Sequence, residues 1–344
     1  MINFLKRLFG FTVPGAAKPA AEQCDWSNDG AFNTVSFDPD QELAWQAQVD
    51  IDGLFFNWLQ GNPENPGHDS SGLQDATAKA IIVALARLCS AEMVGANLVP
   101  RLPSILPQLL KSLREENVSS GELARHISKD MVLMAELIQE VNSSYYNPVD
   151  KIVNLDNAIR MLGQNGVRML VARMAFRPII NVQSGHLTKL VTPLLWEQAE
   201  KCAIACRQLA QQQKQDPFVG FLAGLMQNVG LVVAFRIVDQ VCEPGQIPNS
   251  AQFKAALLAQ SRILSCCIGR QWGFPASVIR AIQDQARYST DLTGLSLSLR
   301  HADHLSKIYL LVNHAQLKKD DPLLQLDQNA SIAACYEALS TQQA

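Results

Sequence analysis

Apolar residues recur at helical intervals along most of this 344-residue chain, and this spacing is the strongest constraint on its fold. One face of a helix over residues 73–95 would carry Ala80, Ile81, Ala84, Leu85 and Leu88. Gly95 then predicts the end of that helix. A similar pattern over residues 41–60 ends at Gly61. The spacing therefore predicts an all-α protein.

Interruptions of this spacing divide the first hundred residues into two segments. Residues 1–40 are predicted to be a flexible N-terminal arm, because residues 12–40 contain three prolines and two glycines and show little apolar periodicity. Residues 41–99 are predicted to be an N-terminal helical region. Within it, residues 62–72 are rich in Pro, Gly, Asn, Asp and Ser, which is typical of a loop.

Charge and cysteine content narrow the class of protein. The formal net charge of −3 offers no basic face for nucleic acid, so we expect no nucleic-acid partner. None of the eight cysteines forms a Cys-x-x-Cys pair, and their scatter favours free thiols in a reducing compartment over a disulfide framework. We therefore expect a cytoplasmic protein.

A membrane-spanning protein is not expected, because the chain has no run of eighteen apolar residues. Residues 1–11 are mostly apolar, carry the adjacent cations Lys6 and Arg7, and lack the cleavage site of a signal peptide. They could form an interfacial helix that contacts a membrane, or a helix that docks on this protein or on a partner. The docked helix is the simpler interpretation, since eleven residues with two charges are a weak membrane signal.

From residue 100 onward, short motifs follow one another in a definite order. They are Leu102-Pro103, Leu123-Ala124-x-x-Ile127, Asn142-Ser143-x-x-Tyr146, Ala158-Ile159-x-x-Leu162-Gly163, Leu195-Trp196 and Gly224-Leu225. The ordered set resembles the HDOD domain, a bacterial, all-helical regulatory relative of the HD phosphohydrolases. The resemblance covers residues 100–312 and implies two packed helical lobes. We expect these lobes at about 100–190 and 191–312, followed by a C-terminal helix or tail at 313–344.

Four residues of these motifs are the family positions to examine in the structure. Asn142 and Ser143 suit the end of a helix, where their side chains can hydrogen-bond to the backbone. Gly163 is placed as a helix C-cap. Trp196 precedes by two residues the first position that binds metal in the HD superfamily.

The resemblance also implies a metal site that has lost its ligands. The HD superfamily has a His-Asp pair in the helix that corresponds to Phe221–Gly230, and this chain has Gln227-Asn228 there. The superfamily's other ligand positions fall on Gln198, Ser261, Gln285 and Asp303. A neutral amide is a poorer ligand than imidazole or carboxylate, and only Asp303 keeps a metal-ligating group. We therefore expect no bound metal, no cofactor and no catalytic residue.

Asp303 raises a question of its own, because a bare buried carboxylate is costly. We expect Gln198, Gln227 or Asn228 to hydrogen-bond to it, so that Asp303→Ala would destabilise the fold by about 1–3 kcal/mol. The neighbouring His301 and His304 are expected to be solvated or capping residues, rather than a relocated metal site.

Three functions are compatible with these residues. The favoured one is a non-catalytic bacterial signal-transduction module that acts through contacts with a regulatory protein. The second is a binding module whose former metal pocket accepts a nucleotide or cyclic dinucleotide. The third is a metal-dependent phosphohydrolase, which the lost ligands make the least favoured.

Overall fold

The structure is a computed structural model that describes residues 51–61, 72–90, 100–101, 105–114, 125, 127–128, 131–143, 148–181, 185–243, 246–286, 292–318, 321 and 330–341. Across these ranges the regular secondary structure is helical, without a strand. The all-α prediction is therefore confirmed. The predicted arm at residues 1–40, most of the predicted loop at 62–72 and the helix stop at Gly95 lie outside the described residues.

The first part of the described chain supplies the N-terminal region and the first lobe. Its helices include α1 (residues 51–59), α2 (Gly72–Ser90), α3 (Leu106–Arg114), α4 (Met131–Val141) and α5 (Leu155–Ile180). Asn154 caps α5, because its side chain accepts a hydrogen bond from the backbone N–H of Asn157. Within α5, Gly163 has a φ of 68° and interrupts the helix, so it marks the end of the first helical segment. The chain then continues directly into a second segment.

The remaining helices form the second lobe and the C-terminal element. They are α6 (His186–Gln212), α7 (Pro217–Met226), α8 (Val229–Val241), α9 (Ala251–Gln271), α10 (Ala276–Gln285), α11 (Gly294–Asn313) and α12 (Ala330–Thr341). Helix α6 is central, because it packs against α5, α7, α8, α11 and α12. The C-terminal helix α12 also contacts α11.

The lobe boundary predicted at about 190/191 falls inside α6, and it stays a prediction. Helix α6 begins just after Gly185, which has a φ of 87°. Its buried residues Leu187, Val191 and Leu195 recur every four positions and form one continuous apolar face. The first turn of α6 therefore belongs to the same apolar face as the rest of the helix.

The N-terminal region packs directly on the second lobe. Helix α2 contacts α8 and α9 through buried residues that include Ile81, Leu85 and Leu88. In α1, the ring of Phe56 stacks on that of Phe235 in α8, with ring centroids 5.9 Å apart. The described part of the region predicted at 41–99 thus shares one hydrophobic core with the second lobe.

The stretch Pro217–Val241 is the one candidate for a membrane span within the described residues. Its most apolar 18-residue window has a mean hydropathy of 1.9, which reflects a place in the core, because 89% of that window is buried inside the fold. Residues 227 and 228 separate α7 from α8, so the stretch is two core helices.

Helices α8 and α9 approach each other very closely at Gly230. A Cβ atom on Gly230 would lie 2.0 Å from the backbone oxygen of Ser261 and 2.7 Å from the backbone nitrogen of Ser265. Those atoms belong to the backbone of α9 and cannot move aside without shifting the helix. Gly53 in α1 is a useful contrast, because nothing lies within 4 Å of its would-be Cβ.

We predict that Gly230→Ala lowers the free energy of unfolding by about 1–3 kcal/mol, because the added methyl group pushes α9 away from α8. Gly53→Ala is the matched control and should raise it by about 0.5–1 kcal/mol, as expected for a helix interior with open space. Urea denaturation followed by circular dichroism measures both. A Gly230→Ala protein as stable as the wild type would contradict the close approach.

Candidate functional site

Two amide side chains hydrogen-bond to Asp303, as the sequence led us to expect, and a third amide joins them. Asp303 is buried in α11, and its Oδ1 accepts hydrogen bonds from Gln198 Nε2 at 3.0 Å and from Gln227 Nε2 at 3.1 Å. Asn228 reaches the carboxylate indirectly, because its amide donates to Gln198 Oε1. Gln198 Nε2 also donates to Ser306 Oγ at 2.8 Å. The amides thus form one connected polar cluster inside an apolar core.

The α7–α8 junction places Gln227 and Asn228 at this cluster. Gln227 is the C-cap of α7 and Asn228 is the N-cap of α8, so both lie at the break between two apolar helices. Ser265 of α9 holds this junction through two hydrogen bonds to its backbone. Its hydroxyl donates to the backbone oxygen of Gln227 at 2.7 Å and accepts from the backbone N–H of Gly230 at 2.8 Å.

Two cations that the sequence analysis missed neutralise Asp303. Lys307 Nζ lies 2.7 Å from Asp303 Oδ2, and Arg262 Nη2 lies 3.2 Å from the same oxygen. The side chains of Lys307 and Asp303 are only 6% and 5% exposed. Lys307 is four residues after Asp303 on one helix face, a spacing that could have indicated the pair. Arg262 gave no comparable signal.

A second carboxylate reaches the cluster from the N-terminal region. Asp52 of α1 lies with Oδ1 2.7 Å from Lys307 Nζ and with Oδ2 4.0 Å from Arg262 Nη2. The four charged groups formally balance, with two cations and two carboxylates. Residues from α1, α9 and α11 therefore meet in one ion-pair network next to the amides.

The charges in this network stabilise one another. Burial alone would raise the pKa of Asp303, but Lys307 and Arg262 outweigh it and hold the pKa below its usual value. Burial alone would lower the pKa of Lys307, but Asp303 and Asp52 reverse the effect and raise it. Both groups are therefore charged at neutral pH.

Two of the expected ligand positions do not contact Asp303. The hydroxyl of Ser261 donates to the backbone oxygen of Leu258 within α9. The amide of Gln285 donates to the backbone oxygens of Ala281 and Ser296. Gln285 is tied to the cluster through Arg262, whose Nη1 donates to the backbone oxygen of Gln285 at 2.6 Å.

The family motif residues have structural contacts away from this cluster. Asn142 follows α4, and its side chain makes two hydrogen bonds with the backbone of Ile152. Its Nδ2 donates to the Ile152 oxygen at 2.7 Å, and its Oδ1 accepts from the Ile152 N–H at 2.8 Å. Its expected backbone hydrogen bonding is thus present. Ser143 differs from the expectation, because its buried hydroxyl has no hydrogen-bond partner among the residues that the structure describes. Trp196 is buried in α6, two residues before Gln198, whose amide contacts Asp303.

The histidines beside Asp303 are less solvated than we expected. His301 and His304 are both only partly exposed. Burial lowers the pKa of His304 to about 4 and also lowers the pKa of His301. Both rings are therefore neutral at pH 7.

The donor set around Asp303 does not fit a divalent metal. One oxygen of the carboxylate already faces two amide N–H groups, and the other faces an ammonium and a guanidinium. A cation at the second oxygen would meet the positive charge of Lys307 at close range. Among the described residues, no group of three or more His, Cys, Asp or Glu side chains is placed to hold a metal ion.

The cavity beside the cluster is small. It measures about 20 Å³ and is lined by residues that include Asp52, Phe56, Asn228, Ser261, Arg262 and Lys307. That volume suits a single water molecule, whereas pockets for drug-sized ligands measure roughly 300–1,000 Å³. With α1 docked, this cavity therefore leaves no room for a nucleotide beside the Asp303 cluster.

Comparison with known proteins agrees with this arrangement of helices. The model of the HDOD domain matches residues 99–288, which is more than half of the chain. The chain belongs to the HDOD family. An uncharacterised protein of Treponema pallidum (strain Nichols) is 20% identical over 195 residues, 54% of this chain and 37% of that protein. The chain thus spans little more than a third of this curated relative.

Two crystal structures from Shewanella amazonensis SB2B share the fold of this HDOD protein. One, described as a candidate metal-dependent phosphohydrolase, is 15% identical with a TM-score of 0.54, and the match covers 78% of this chain and all of that one. The other, described as a candidate phosphohydrolase, is 19% identical with a TM-score of 0.51, covering 75% and 93%. At these identities the likeness concerns the fold alone.

We predict that Asp303→Asn and Lys307→Met each destabilise the protein by about 3–5 kcal/mol, because each leaves an unbalanced buried charge. This exceeds the 1–3 kcal/mol expected from stranded amides alone. The double variant restores the charge balance of the network and should lose less stability than the sum of the two. Urea denaturation of all four proteins completes the double-mutant cycle.

The exposed pair of Glu197 and His314 provides a control for this cycle. Glu197→Gln should change the free energy of unfolding by no more than about 0.5 kcal/mol. Strictly additive losses in the Asp303 and Lys307 cycle would show that the two groups are not coupled in the folded protein.

Proposed function

We propose that this HDOD protein is a non-catalytic regulatory module that acts through contacts with a signalling protein. The observation that carries the proposal is the Lys307 ammonium 2.7 Å from Asp303. It supplies, within the chain, the positive charge that a metal would supply to this carboxylate. Family membership supports a helical regulatory domain, and the donor set argues against hydrolysis.

The chemistry of hydrolysis explains why the ammonium matters. A metal-dependent phosphohydrolase uses its ion to acidify a bound water and to neutralise the charge on phosphate. Lys307 can neutralise charge, but it has no open coordination position for water. The amides of Gln198 and Gln227 are engaged with Asp303 and are far weaker bases than imidazole. The phosphohydrolase alternative is therefore disfavoured.

The nucleotide-binding alternative has less support in the observed conformation. The cavity of about 20 Å³ at the former metal position suits water and excludes a base or ribose. A nucleotide would need α1 to move away first. Contacts at the protein surface require no such opening.

A surface on the first lobe is a candidate for those contacts. Val149 and Val153 are largely exposed, and they flank Ile152, whose backbone Asn142 holds from both sides. Ordered backbone that presents apolar side chains loses little conformational entropy on binding. Asn142 is one of the family motif residues, and this arrangement gives it a function in shaping that surface.

We propose a bacterial cytoplasm as the location. The seven described cysteines are free thiols, which is typical of a reducing compartment. Cys24 lies outside the described residues.

We predict that the purified protein contains no stoichiometric transition metal and hydrolyses no phosphodiester. Elemental analysis after chelator dialysis and an assay with bis(p-nitrophenyl) phosphate, with and without added Mn²⁺, measure these properties. Any background hydrolysis should be unchanged in Asp303→Asn. About one metal ion per chain that survives dialysis would overturn the non-catalytic proposal.

We further predict that Val149→Ser/Val153→Ser abolishes capture of a specific protein from an extract of the source cells by the full chain. Leu190→Ser is the matched control, because Leu190 is an exposed apolar residue on α6. Leu190→Ser should leave capture unchanged. A protein captured equally by all three baits would contradict the placement of the surface on the first lobe.

A further inference from the structure

Helix α1 covers the former metal position. Ile51, Phe55, Phe56 and Leu59 are buried against the second lobe. Three further contacts hold the helix. Lys307 Nζ lies 5.9 Å from the ring centroid of Phe55, and Lys254 Nζ lies 2.6 Å from Asn57 Oδ1. The ring centroids of Trp58 and His314 are 4.8 Å apart. The helix therefore closes the site with its apolar face and reaches the cluster with one carboxylate.

Asp52 is the only charged residue in the sequence 51–60, and it lies against the two cations of the cluster. Without Asp52, the site would contain Lys307 and Arg262 against Asp303 alone, with a formal charge of +1. An ammonium and a guanidinium side by side are the groups that proteins use to bind phosphate. The Asp52 carboxylate is thus placed where an anionic ligand would be.

The fit of Asp52 to the two cations is uneven. Its Oδ1 lies 2.7 Å from Lys307, but its Oδ2 lies 4.0 Å from Arg262, beyond hydrogen-bond distance. A tetrahedral oxyanion has four oxygens in place of two and could accept hydrogen bonds from both cations at once. The nearby Asn228 side chain adds a neutral amide to the same cavity.

We infer that Lys307 and Arg262 form an oxyanion-binding site, for phosphate or a phosphate monoester, which Asp52 occupies in cis while α1 is docked. The oxyanion and α1 compete for the same two cations. Binding of the oxyanion releases α1 from the second lobe, and docking of α1 excludes the oxyanion. This site requires neither a metal nor a partner protein, so it can be measured apart from the function proposed above.

Isothermal titration calorimetry on the full chain tests the site with inorganic phosphate as the probe, at an ionic strength held constant with sodium chloride. Asp52→Asn should bind phosphate at least about tenfold more tightly than the wild type, because less of the protein is held in the closed state. Arg262→Gln added to Asp52→Asn should reverse this gain. Glu136→Gln makes the same acid-to-amide change on the exposed face of α4 and should bind as the wild type does.

Adenosine 5′-monophosphate distinguishes the source of the phosphate group. Binding to Asp52→Asn at least as tight as that of inorganic phosphate assigns the site to a phosphate ester. Binding of inorganic phosphate alone assigns it to the free ion. Both results support the site, whereas an Asp52→Asn protein that binds neither probe more tightly than the wild type overturns it. A gain that Arg262→Gln leaves unchanged also overturns it.

Hydrogen exchange tests the competition in the wild-type protein. Saturating phosphate should speed the exchange of backbone amides in residues 53–59, while amides in the core of α6 stay protected. If phosphate binds and exchange in α1 is unchanged, the two do not compete, and Asp52 is not the internal ligand.

Discussion

The buried pair of Asp303 and Lys307 is the interaction around which the second lobe is organised. A carboxylate removed from water must be balanced by charge and by hydrogen bonds, and here it has both. Gln198 and Gln227 donate to one oxygen, and Lys307 and Arg262 face the other. Because these groups come from α6, α7, α9 and α11, the satisfaction of a single carboxylate requires all four helices to be in place.

The same network explains why the N-terminal region belongs to this fold. Helix α1 brings Asp52 to the cations and buries its aromatic face beside them. Apolar burial provides most of the affinity for that surface, at roughly 1.5–3 kcal/mol for each fully buried large side chain. The carboxylate adds specificity, since an uncharged helix would leave the cluster with an excess of positive charge. The charge of the Asp303 cluster and the position of α1 are thus coupled.

Backbone geometry allows these side chains to meet. Gly230 lets α8 lie directly against the backbone of α9, and Ser265 joins the two by hydrogen bonds to the α7–α8 junction. This contact positions Gln227 and Asn228 with little freedom. In the first lobe, the Asn142 side chain similarly holds the backbone of Ile152 by two hydrogen bonds. In both places a short polar side chain replaces regular helical hydrogen bonds where the chain changes direction.

The helical class and the HDOD family could both be predicted from the sequence, because they depend on local spacing and on residue identity at motif positions. The convergence of amides on Asp303 was also predictable, since a lone buried carboxylate needs donors. The contact between Lys307 and Asp303 was also predictable, because the two residues are four positions apart on one helix. Asp52 was not, because it lies 255 positions from Lys307 and its own surroundings in the sequence contain no signal for the site. Which charges balance a buried carboxylate depends on distances in three dimensions, and only the tertiary structure decides them.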